Sequence, residues 1–561
     1  MGHRSTKRAS NATFSKGACG TWLNNGVNMK EYPPQTNQNS ETRGFTAETR
    51  GTQRKAFLRK QYSELCELCV LCGEKSESFS QRARRLCGEF SFRPIGFAAA
   101  ALWFVLLLSL PACNLPPPTV STPRPAGYGT FVLFLNGPSR TPFSMTLDIS
   151  GIDAIRSDGA EHAVLSQPKN VDSLKIVERQ ILMTETFLPP GRYREIRVRI
   201  SRAKATHGSE SVDLSVAPEG FTFKVDFEIR ANEATPLFMT WNVEESIERQ
   251  VFLRPAFGFR GRGQELPVVL AYVTNENSNM VTIIDRSLDR VVDVLEVGQQ
   301  PKGIVLAPDL SRAYIVNSGS NNLTILDIKA HTVLHRVNLE GAASPTDIAI
   351  HPNGRILYIA NTAINSVSVM DASSFQSIAL IPVDRQPVAL AVDPTGTKLL
   401  VANMGANTVS VIDTNRNRVA VTIPVEFQPI SVSMDPDGSR AFITHLRSLR
   451  TDVIALSTLR VTGRITTGPA TTVLPDAFNR RVFVAQLSGN RLGLFDPNVD
   501  AELGSTTVGA EPNRLALDVD RDKVYVVNRG SDTITVVDRN SRVVKTEIPT
   551  TKRPFGIAIV R

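Results

Sequence analysis

A repeat of about 42 residues fills the second half of the 561-residue chain and restricts the folds that it can adopt. Each copy has an aromatic or aliphatic residue, two small or branched residues, and a polar residue that is Asn in five of the seven copies. An alternating run such as MVTIID or TVSVID follows. The copies are Tyr272-Val-Thr-Asn275, Tyr314-Ile-Val-Asn317, Tyr358-Ile-Ala-Asn361, Leu400-Val-Ala-Asn403, Phe442-Ile-Thr-His445, Phe483-Val-Ala-Gln486 and Tyr525-Val-Val-Asn528.

A second marker recurs in the same phase, because a proline opens a short apolar run in every repeat. These prolines are Pro301, Pro345, Pro387, Pro429, Pro469, Pro512 and Pro554. Each repeat thus contains four short strands with tight-turn sequences between them, which is typical of a propeller blade. The sequence predicts an all-β fold with a seven-bladed β-propeller over residues 268–561.

The frame of the repeat predicts how the ring closes. The first copy begins at a second strand, and the final residues, PFGIAIVR (554–561), supply a first strand with nothing after it. We expect this C-terminal strand to be the innermost strand of the first blade, so that neither sheet edge is left open.

The repeated motif resembles the YVTN family of β-propeller repeats, which is found in exported bacterial proteins and archaeal surface proteins. The resemblance covers more than half of the chain. It implies the propeller fold, but it leaves the activity open, since such propellers serve as binding platforms, as lactonases and as quinone or haem enzymes.

Residues 127–258 read as β structure throughout and predict a β-sandwich of six to eight strands. Within LPPGRYREIRVRI, Tyr193 is placed to pin a Pro-Gly turn back onto the sheet. The order of features, ending in NEATPLFMTWNVEESIE, resembles an uncharacterised domain common near the N-terminus of bacterial lipoproteins, and that family brings no known activity.

The charge and the cysteines separate a leader from the rest. Residues 1–112 hold 16 Lys+Arg against 8 Asp+Glu, and the remainder holds 47 against 46, so the basic character of the chain, with a net charge of +9, belongs to the leader and the rest is close to neutral. A nucleic-acid partner is therefore not expected. All six cysteines lie at or before residue 113. We expect residues 1–92 to be disordered or to belong to an over-extended gene model.

An export signal is predicted over residues 93–112. Basic residues precede the apolar run 95–110, and none follows it before Arg124. The stretch Leu110-Pro111-Ala112-Cys113 resembles a lipobox, apart from its proline, and this implies cleavage before Cys113 and diacylation of its sulfur. The alternative is an uncleaved signal anchor. The proline-rich stretch 113–126 would be the tether of a lipoprotein facing the periplasm or the surface of a bacterium.

The repeated polar residues have structural explanations first. We expect each repeat Asn to satisfy groups in its own blade, and we expect the Asp residues that end the third strands to form turns. The chain has no Cys-x-x-Cys-His haem motif and no Gly-x-Ser-x-Gly nucleophile elbow. No metal site and no cofactor is expected.

Departures from the repeat suggest a ligand-binding rim on the face where the inter-strand loops open. Its candidate residues are His445, Arg447, Arg450, Arg491, Arg514, Arg529, Arg553 and Lys302. They would attract an anion, and the alternative is scattered, solvated charge. The sequence thus favours a lipid-anchored binding or scaffolding protein whose partner is a protein, a glycan or an envelope polymer. A propeller enzyme of the lactonase or quinone/haem oxidoreductase type is the alternative.

Overall fold

The computed structural model describes residues 124–249, 251–263, 269–478 and 480–560. Strands and the turns between them make up this part of the chain, with short 3₁₀ turns at Ser173–Ile176, Glu244–Ser246 and Thr362–Ile364. Within this described part, no helix is long and apolar enough to cross a membrane. Cys113, the signal segment 93–112 and residues 1–92 lie outside the described residues, as does most of the tether 113–126.

The first part of the described chain forms two main sheets and a small hairpin. The strands are β1 (Gly129–Asn136), β2 (Ser144–Arg156), β3 (Glu161–Leu165), β4 (Lys169–Asp172), β5 (Gln180–Leu188), β6 (Gly191–His207), β7 (Glu210–Leu214), β8 (Phe221–Ile229), β9 (Ala234–Asn242), β10 (Ile247–Glu248), β11 (Phe252–Leu253) and β12 (Ala256–Arg260). One sheet has the order β12-β9-β1-β5, and the other joins β3, β2, β6 and β7 with β4 on β2 and β8 on β6.

The two main sheets share one hydrophobic core, which contains Phe131 on β1, Leu147 on β2 and Ile196 on β6. They contain ten strands, more than the six to eight expected. The excess arises because the long strands β2 and β6 each pair with two short strands along one edge. The predicted tyrosine contact is confirmed: Tyr193 Oη donates to the carbonyl oxygen of Pro189 at 3.0 Å.

The repeats form seven four-stranded antiparallel sheets, which we number as blades 1 to 7. Blade 1 has β13 (Leu270–Asn275), β14 (Met280–Asp285) and β15 (Arg290–Glu296). Blades 2 to 4 have β16 (Pro301–Leu306), β17 (Arg312–Asn317), β18 (Asn322–Asp327), β19 (Thr332–Asn338), β20 (Pro345–Ile350), β21 (Ile356–Asn361), β22 (Ser366–Asp371), β23 (Ser377–Pro382), β24 (Pro387–Val392), β25 (Lys398–Asn403), β26 (Thr408–Asp413) and β27 (Arg418–Pro424).

Blades 5 to 7 repeat the same order. Their strands are β28 (Pro429–Met434), β29 (Arg440–His445), β30 (Arg450–Ala455), β31 (Arg460–Thr466), β32 (Ala470–Asp476), β33 (Arg481–Gln486), β34 (Arg491–Asp496), β35 (Ala501–Thr507), β36 (Pro512–Asp518), β37 (Lys523–Asn528), β38 (Thr533–Asp538) and β39 (Val544–Pro549). The last strand, β40 (Pro554–Ile559), pairs antiparallel with β13 in the sheet of blade 1.

Burial explains the composition of the strands. The second and third strands of blade 1, β13 and β14, are buried at every position because neighbouring sheets cover both of their faces. An outer strand such as β27 alternates between exposed and covered positions. The innermost strands contact one another in the order β16, β20, β24, β28, β32, β36 and β40, and β40 also contacts β16.

The two-sheet domain packs on blades 1 and 7. Val132, Phe134 and Phe238 share a buried cluster with Val291 on β15 and Ile548 on β39. Polar contacts add to this interface, because the side chain of Gln180 both donates to the carbonyl of Val291 and accepts from its amide. The interface thus lies at the junction between the first and last blades.

Candidate functional site

The upper face of the propeller is the face at which the second strand of each blade ends. The seven repeat residues stand at this end, and five of them are Asn. Each Asn donates from Nδ2 to a hydroxyl seven residues further along its own blade, at 2.8 to 2.9 Å. The pairs are Asn275–Thr282, Asn317–Thr324, Asn361–Ser368, Asn403–Ser410 and Asn528–Thr535. The prediction that each amide serves its own blade is confirmed.

The Asp residues that end the third strands are confirmed as turn formers. Each accepts a backbone N–H from the residue two positions further on, and this is the geometry of an Asx turn. The residues are Asp285, Asp327, Asp371, Asp413, Asp496 and Asp538. Hydrogen bonds to neighbouring serines lower the pKa of Asp371 and, mainly through the amide of Ser541, that of Asp538.

A second repeated contact was not anticipated from the sequence. In six of the seven blades the residue before the third strand is Asn or Asp with positive φ, and its side chain accepts the N–H of the residue that precedes the next innermost strand. The contacts are Asn279–Gln300, Asn321–Ser344, Asn365–Gln386, Asn407–Gln428, Asn490–Glu511 and Asp532–Arg553. Blade 5 lacks this contact, because Leu449 stands at the position and has no side-chain acceptor.

Three cations surround one aromatic ring at the upper end of the innermost strands. Lys302 Nζ lies 5.8 Å from the centroid of the Phe555 ring, and the guanidinium carbons of Arg514 and Arg529 lie 5.7 and 5.6 Å from it. Such distances allow cation–π attraction. We call these four residues, with Glu276 and Asp347, the axial cluster.

Two carboxylates hold the cations of the axial cluster. Glu276 forms ion pairs with Arg529 and, at 3.7 Å, with Lys302 Nζ. Asp347 Oδ2 lies 3.7 Å from Arg514 Nη2. Burial lowers the pKa of Lys302 and raises the pKa of Asp347, against the opposing pull of the neighbouring opposite charge. Three cations against two carboxylates leave an excess of one positive charge.

The size of the third residue of each innermost strand explains why the side chain of Arg514 can extend across the space inside the ring of blades. Six of these residues are small or short: Gly303, Asp347, Ala389, Ser431, Thr472 and Gly556. Arg514 is the only long side chain in the set, and its Nη1 donates to Ser431 Oγ at 3.2 Å on blade 5. It therefore spans the space between the strands, from blade 7 to blades 3 and 5.

Blade 5 differs from the other blades at the position that is usually Asn. His445 is buried, so its ring is not presented to a ligand at the surface. Its Nδ1 lies 3.1 Å from the carbonyl oxygen of Arg450, and its Nε2 lies 3.6 Å from Oδ2 of buried Asp452. Asp452 stands seven residues after His445, so a titratable pair replaces the neutral amide–hydroxyl pair of other blades. Arg464 Nε donates to Asp452 Oδ1 at 2.8 Å.

The predicted rim divides into separate parts. Lys302, Arg514 and Arg529 come together, whereas Arg447 and Arg450 are exposed on blade 5 with no ion pair among the described residues. Arg491 contacts Glu502 on blade 6 at 3.5 Å. Arg553 precedes Phe555 with a φ of 61°, and its carbonyl accepts the N–H of Glu276.

The sequence reasoning missed Phe555, Glu276 and Asp347. Phe555 is the only aromatic residue directly after a blade-opening position, and this was the available signal. The two carboxylates gave no such signal, because only the assembled ring brings them to their cations. Among the described residues, no group of acidic, His or Cys side chains is arranged to hold a metal ion.

A family model described as Lactonase, 7-bladed beta-propeller matches residues 292–429, which are 138 of the 561 residues. This match supports the propeller predicted from the repeat. No curated protein sequence matches the chain.

Several solved structures resemble the chain. Hydrazine synthase from Kuenenia stuttgartiensis has 20% identity and a TM-score of 0.41, over 46% of this chain and 88% of that one. A functionally unknown protein from Desulfotomaculum acetoxidans DSM 771 has 16% identity and a TM-score of 0.47, over 52% and 98%. Dihydro-heme d1 dehydrogenase NirN in complex with DHE has 15% identity and a TM-score of 0.43, over 53% and 77%. Likenesses of this size assign no function.

Proposed function

We propose that this chain is an exported, lipid-anchored protein of the bacterial cell envelope that binds an anionic partner on the upper face of a YVTN-type propeller. The partner is a protein, a glycan or an envelope polymer that carries carboxylate or phosphate groups. In this proposal Cys113 carries the lipid, residues 127–258 form a β-sandwich, and the C-terminal strand closes the ring of blades.

The arrangement of three cations around Phe555 carries the binding proposal. Arg514 and Arg529 present planar donors suited to carboxylate or phosphate, and Lys302 adds a third positive charge. Both arginines and Lys302 are only partly exposed, so water screens them less than free surface charges. An incoming anion would compete with Glu276 and Asp347 for these donors.

Contacts around blade 1 support both the closure of the ring by the C-terminal strand and the packing of the two-sheet domain on the propeller. β40 pairs with β13, while β1, β5 and β9 lie against blades 1 and 7. A domain at this junction covers the point at which the first and last blades meet. It would protect the ring from opening at the one sheet that is built from both ends of the repeat region.

Binding is tested by titrating the detergent-solubilised full chain with polygalacturonate, a polymer of carboxylates, and with neutral dextran. The proposal predicts calorimetric binding of the polyanion only, weakened by added salt. Binding of both polymers alike, or of neither polymer nor inorganic phosphate, would contradict the anionic partner. Intact mass analysis of the membrane-extracted protein tests the anchor, which predicts a mature chain that begins at diacylated Cys113.

A lactone-hydrolysing enzyme is the second candidate, favoured by the family match over residues 292–429. In that case Glu276 or Asp347 would act as general base, and the cations would stabilise the developing oxyanion. Base consumption at constant pH with a sugar-acid δ-lactone tests this activity, with Glu276→Gln and Asp347→Asn as variants. Metal analysis and an absorption spectrum of the purified protein test the quinone or haem alternative, because a stoichiometric metal or chromophore would overturn the binding proposal.

A further inference from the structure

The upper face carries an apolar arc on one side of the ring. In the described part of the propeller, four large apolar side chains are exposed in upper-face loops: Ile364 at 39%, Phe427 at 48%, Leu446 at 42% and Leu449 at 63%. They belong to blade 3, to the connection from blade 4 to blade 5, and to blade 5 itself. The N–H of Leu446 donates to the carbonyl of Gln428 at 2.9 Å, so the loops of Phe427 and Leu446 are adjacent.

Blade 5 produces this surface by departing from the repeat. Its loop, residues 446–449, reads LRSL, whereas the corresponding loops read ENSN, SGSN, TAIN, MGAN, LSGN and RGSD. Leu449 replaces the Asn or Asp that pins a loop to the next blade, and the N–H of Gly468 donates instead to the Leu449 carbonyl at 2.9 Å. The side chain of Leu449 therefore makes no hydrogen bond to the next blade and is exposed to solvent.

Two unpaired cations flank the leucines. Arg447 and Arg450 are exposed and form no ion pair among the described residues. The acids in neighbouring loops are already engaged, since Asp384 accepts from Thr408 Oγ1 and Glu426 pairs with Arg464. Exposed leucines beside unpaired arginines have the chemistry of a surface that contacts anionic lipid headgroups and the acyl boundary beneath them.

The chain's own tether ends at this face. Arg124, the first described residue, donates to Glu296 at 2.6 Å, and Glu296 ends β15 at the upper face. Ten residues lie between Cys113 and Arg124. Fully extended, they span no more than about 40 Å. A lipid on Cys113 therefore keeps the bilayer within reach of the upper face.

We propose that the apolar arc docks on the anionic bilayer that holds the lipid anchor, so that the upper face is turned toward the membrane. This inference rests on the exported, lipid-anchored part of the proposed function. Lipid at Cys113 and the arc are two attachments on opposite sides of the ring, since the tether reaches blade 1 and the arc lies on blades 3 to 5.

The test uses the lipidated protein, in which Cys113 would be acylated and no other cysteine follows it in the sequence. Leu449→Cys is labelled with a polarity-sensitive dye in the lipidated protein, which is reconstituted in vesicles containing lipids with an acyl-chain quencher. Phe478→Cys is the matched control, because Phe478 is 76% exposed on the opposite face, in the turn between β32 and β33. Vesicles contain equal phosphatidylglycerol and phosphatidylcholine, or phosphatidylcholine alone.

The proposal predicts a blue-shifted, quenched label at position 449 and an unquenched label at 478, with the effect confined to vesicles that contain phosphatidylglycerol. Removing each arginine should weaken docking about fivefold, so Arg447→Ala with Arg450→Ala should shift the docking equilibrium about 25-fold.

Three results would overturn the proposal. If the protein floats with the vesicles but the label at position 449 is unquenched, docking of the arc is ruled out and the anchor is retained. Protein that does not float, or whose Cys113 takes up dye, removes the anchor and the docking with it. A blue shift without vesicles that grows with protein concentration identifies a second copy of the chain as the occupant of the arc.

Discussion

Arg514 on blade 7 and Asp347 on blade 3 face each other across the space inside the ring, with Nη2 and Oδ2 3.7 Å apart. Their strands are not neighbours, so this contact exists only when the blades are assembled. Because burial raises the pKa of Asp347, its negative charge is disfavoured, and the positive charge of Arg514 is incompletely balanced. This imbalance is the physical basis of the anion binding that we propose for the axial cluster.

Removing the competing carboxylate should strengthen anion binding. Glu276→Gln leaves Arg529 and Lys302 without their internal partner. One charge at about 4 Å is worth about 1 kcal/mol in water, so we expect about fivefold tighter binding of polygalacturonate by calorimetry. Glu340→Gln, which makes the same change at an exposed upper-face loop, is the control and should have no effect. Equal tightening in both variants would indicate a general effect of net charge.

The buried pair of blade 5 should be replaceable only as a pair. Asp452→Ala leaves His445 without its carboxylate and Arg464 with Glu426 alone, and it should lower the free energy of unfolding by about 3 kcal/mol. The double change His445→Asn with Asp452→Thr restores the pair found in other blades and should lie within about 1 kcal/mol of the parent. Urea unfolding measures both. A double variant as unstable as the single one would show that blade 5 requires the charges themselves.

Asp293 should make the protein more stable as the pH falls from about 7 to 4. It is fully buried, and Arg262 Nε donates to its Oδ1 at 2.9 Å, yet burial raises its pKa to about 6 from 3.8. The folded state therefore binds a proton that the unfolded state releases, and stability falls as pH rises through 6, by at most about 3 kcal/mol. The free energies of unfolding of the parent and of Asp293→Asn, measured in urea, should therefore depend differently on pH over this range. The same pH dependence in both proteins would contradict the prediction.

His445 should act in the opposite direction. Burial lowers its pKa below 6.5, so the unfolded state binds a proton more readily, and stability is lost as the pH falls below 6.5. His445→Asn should remove this loss while keeping the loss of stability that Asp293 causes at higher pH. The same urea series measures it, and a variant with the parent's acid sensitivity would contradict it.

The C-terminal strand should be essential to the propeller. β40 supplies a partner for β13 and contacts β36 and β16. Deleting residues 552–561 exposes an edge of β13 and leaves a gap in the ring. The melting temperature should therefore fall sharply, and the free energy of unfolding should fall by more than about 5 kcal/mol. Lys552→Ala, at an exposed residue in the same segment, is the control. A truncated chain that melts like the parent would contradict closure by this strand.

Much of the fold was predictable because the same local sequence pattern occurs seven times. The Asn residues and turn-forming Asp residues behave as their spacing indicates, since each serves its own blade. Tyr193 was predictable for the same reason, because its partner Pro189 is four residues away. The ten strands of the two main sheets were undercounted, since one long strand pairing with two short ones leaves no clear signal in the sequence.

The site was predictable only in part. Lys302, Arg514 and Arg529 of the predicted rim do come together, because their positions in the repeat place them near the axis of the propeller. Their carboxylate partners come from other blades and depend on assembly. His445 was assigned to the surface, but the position it occupies is buried in every blade. The spacing of seven between His445 and Asp452, shared with the Asn–hydroxyl pairs, would have revealed this pair.

The most direct measurement is calorimetric titration of the full chain with polygalacturonate, comparing the parent with Arg514→Ala and with Arg385→Ala. Both variants lose one arginine on the same face, but only Arg514 belongs to the axial cluster. A charged hydrogen bond is worth about 1.5–3 kcal/mol, so Arg514→Ala should weaken binding at least about tenfold, and Arg385→Ala by less than about twofold. Equal affinities for all three proteins, each folded by its thermal transition, would contradict anion binding at the axial cluster.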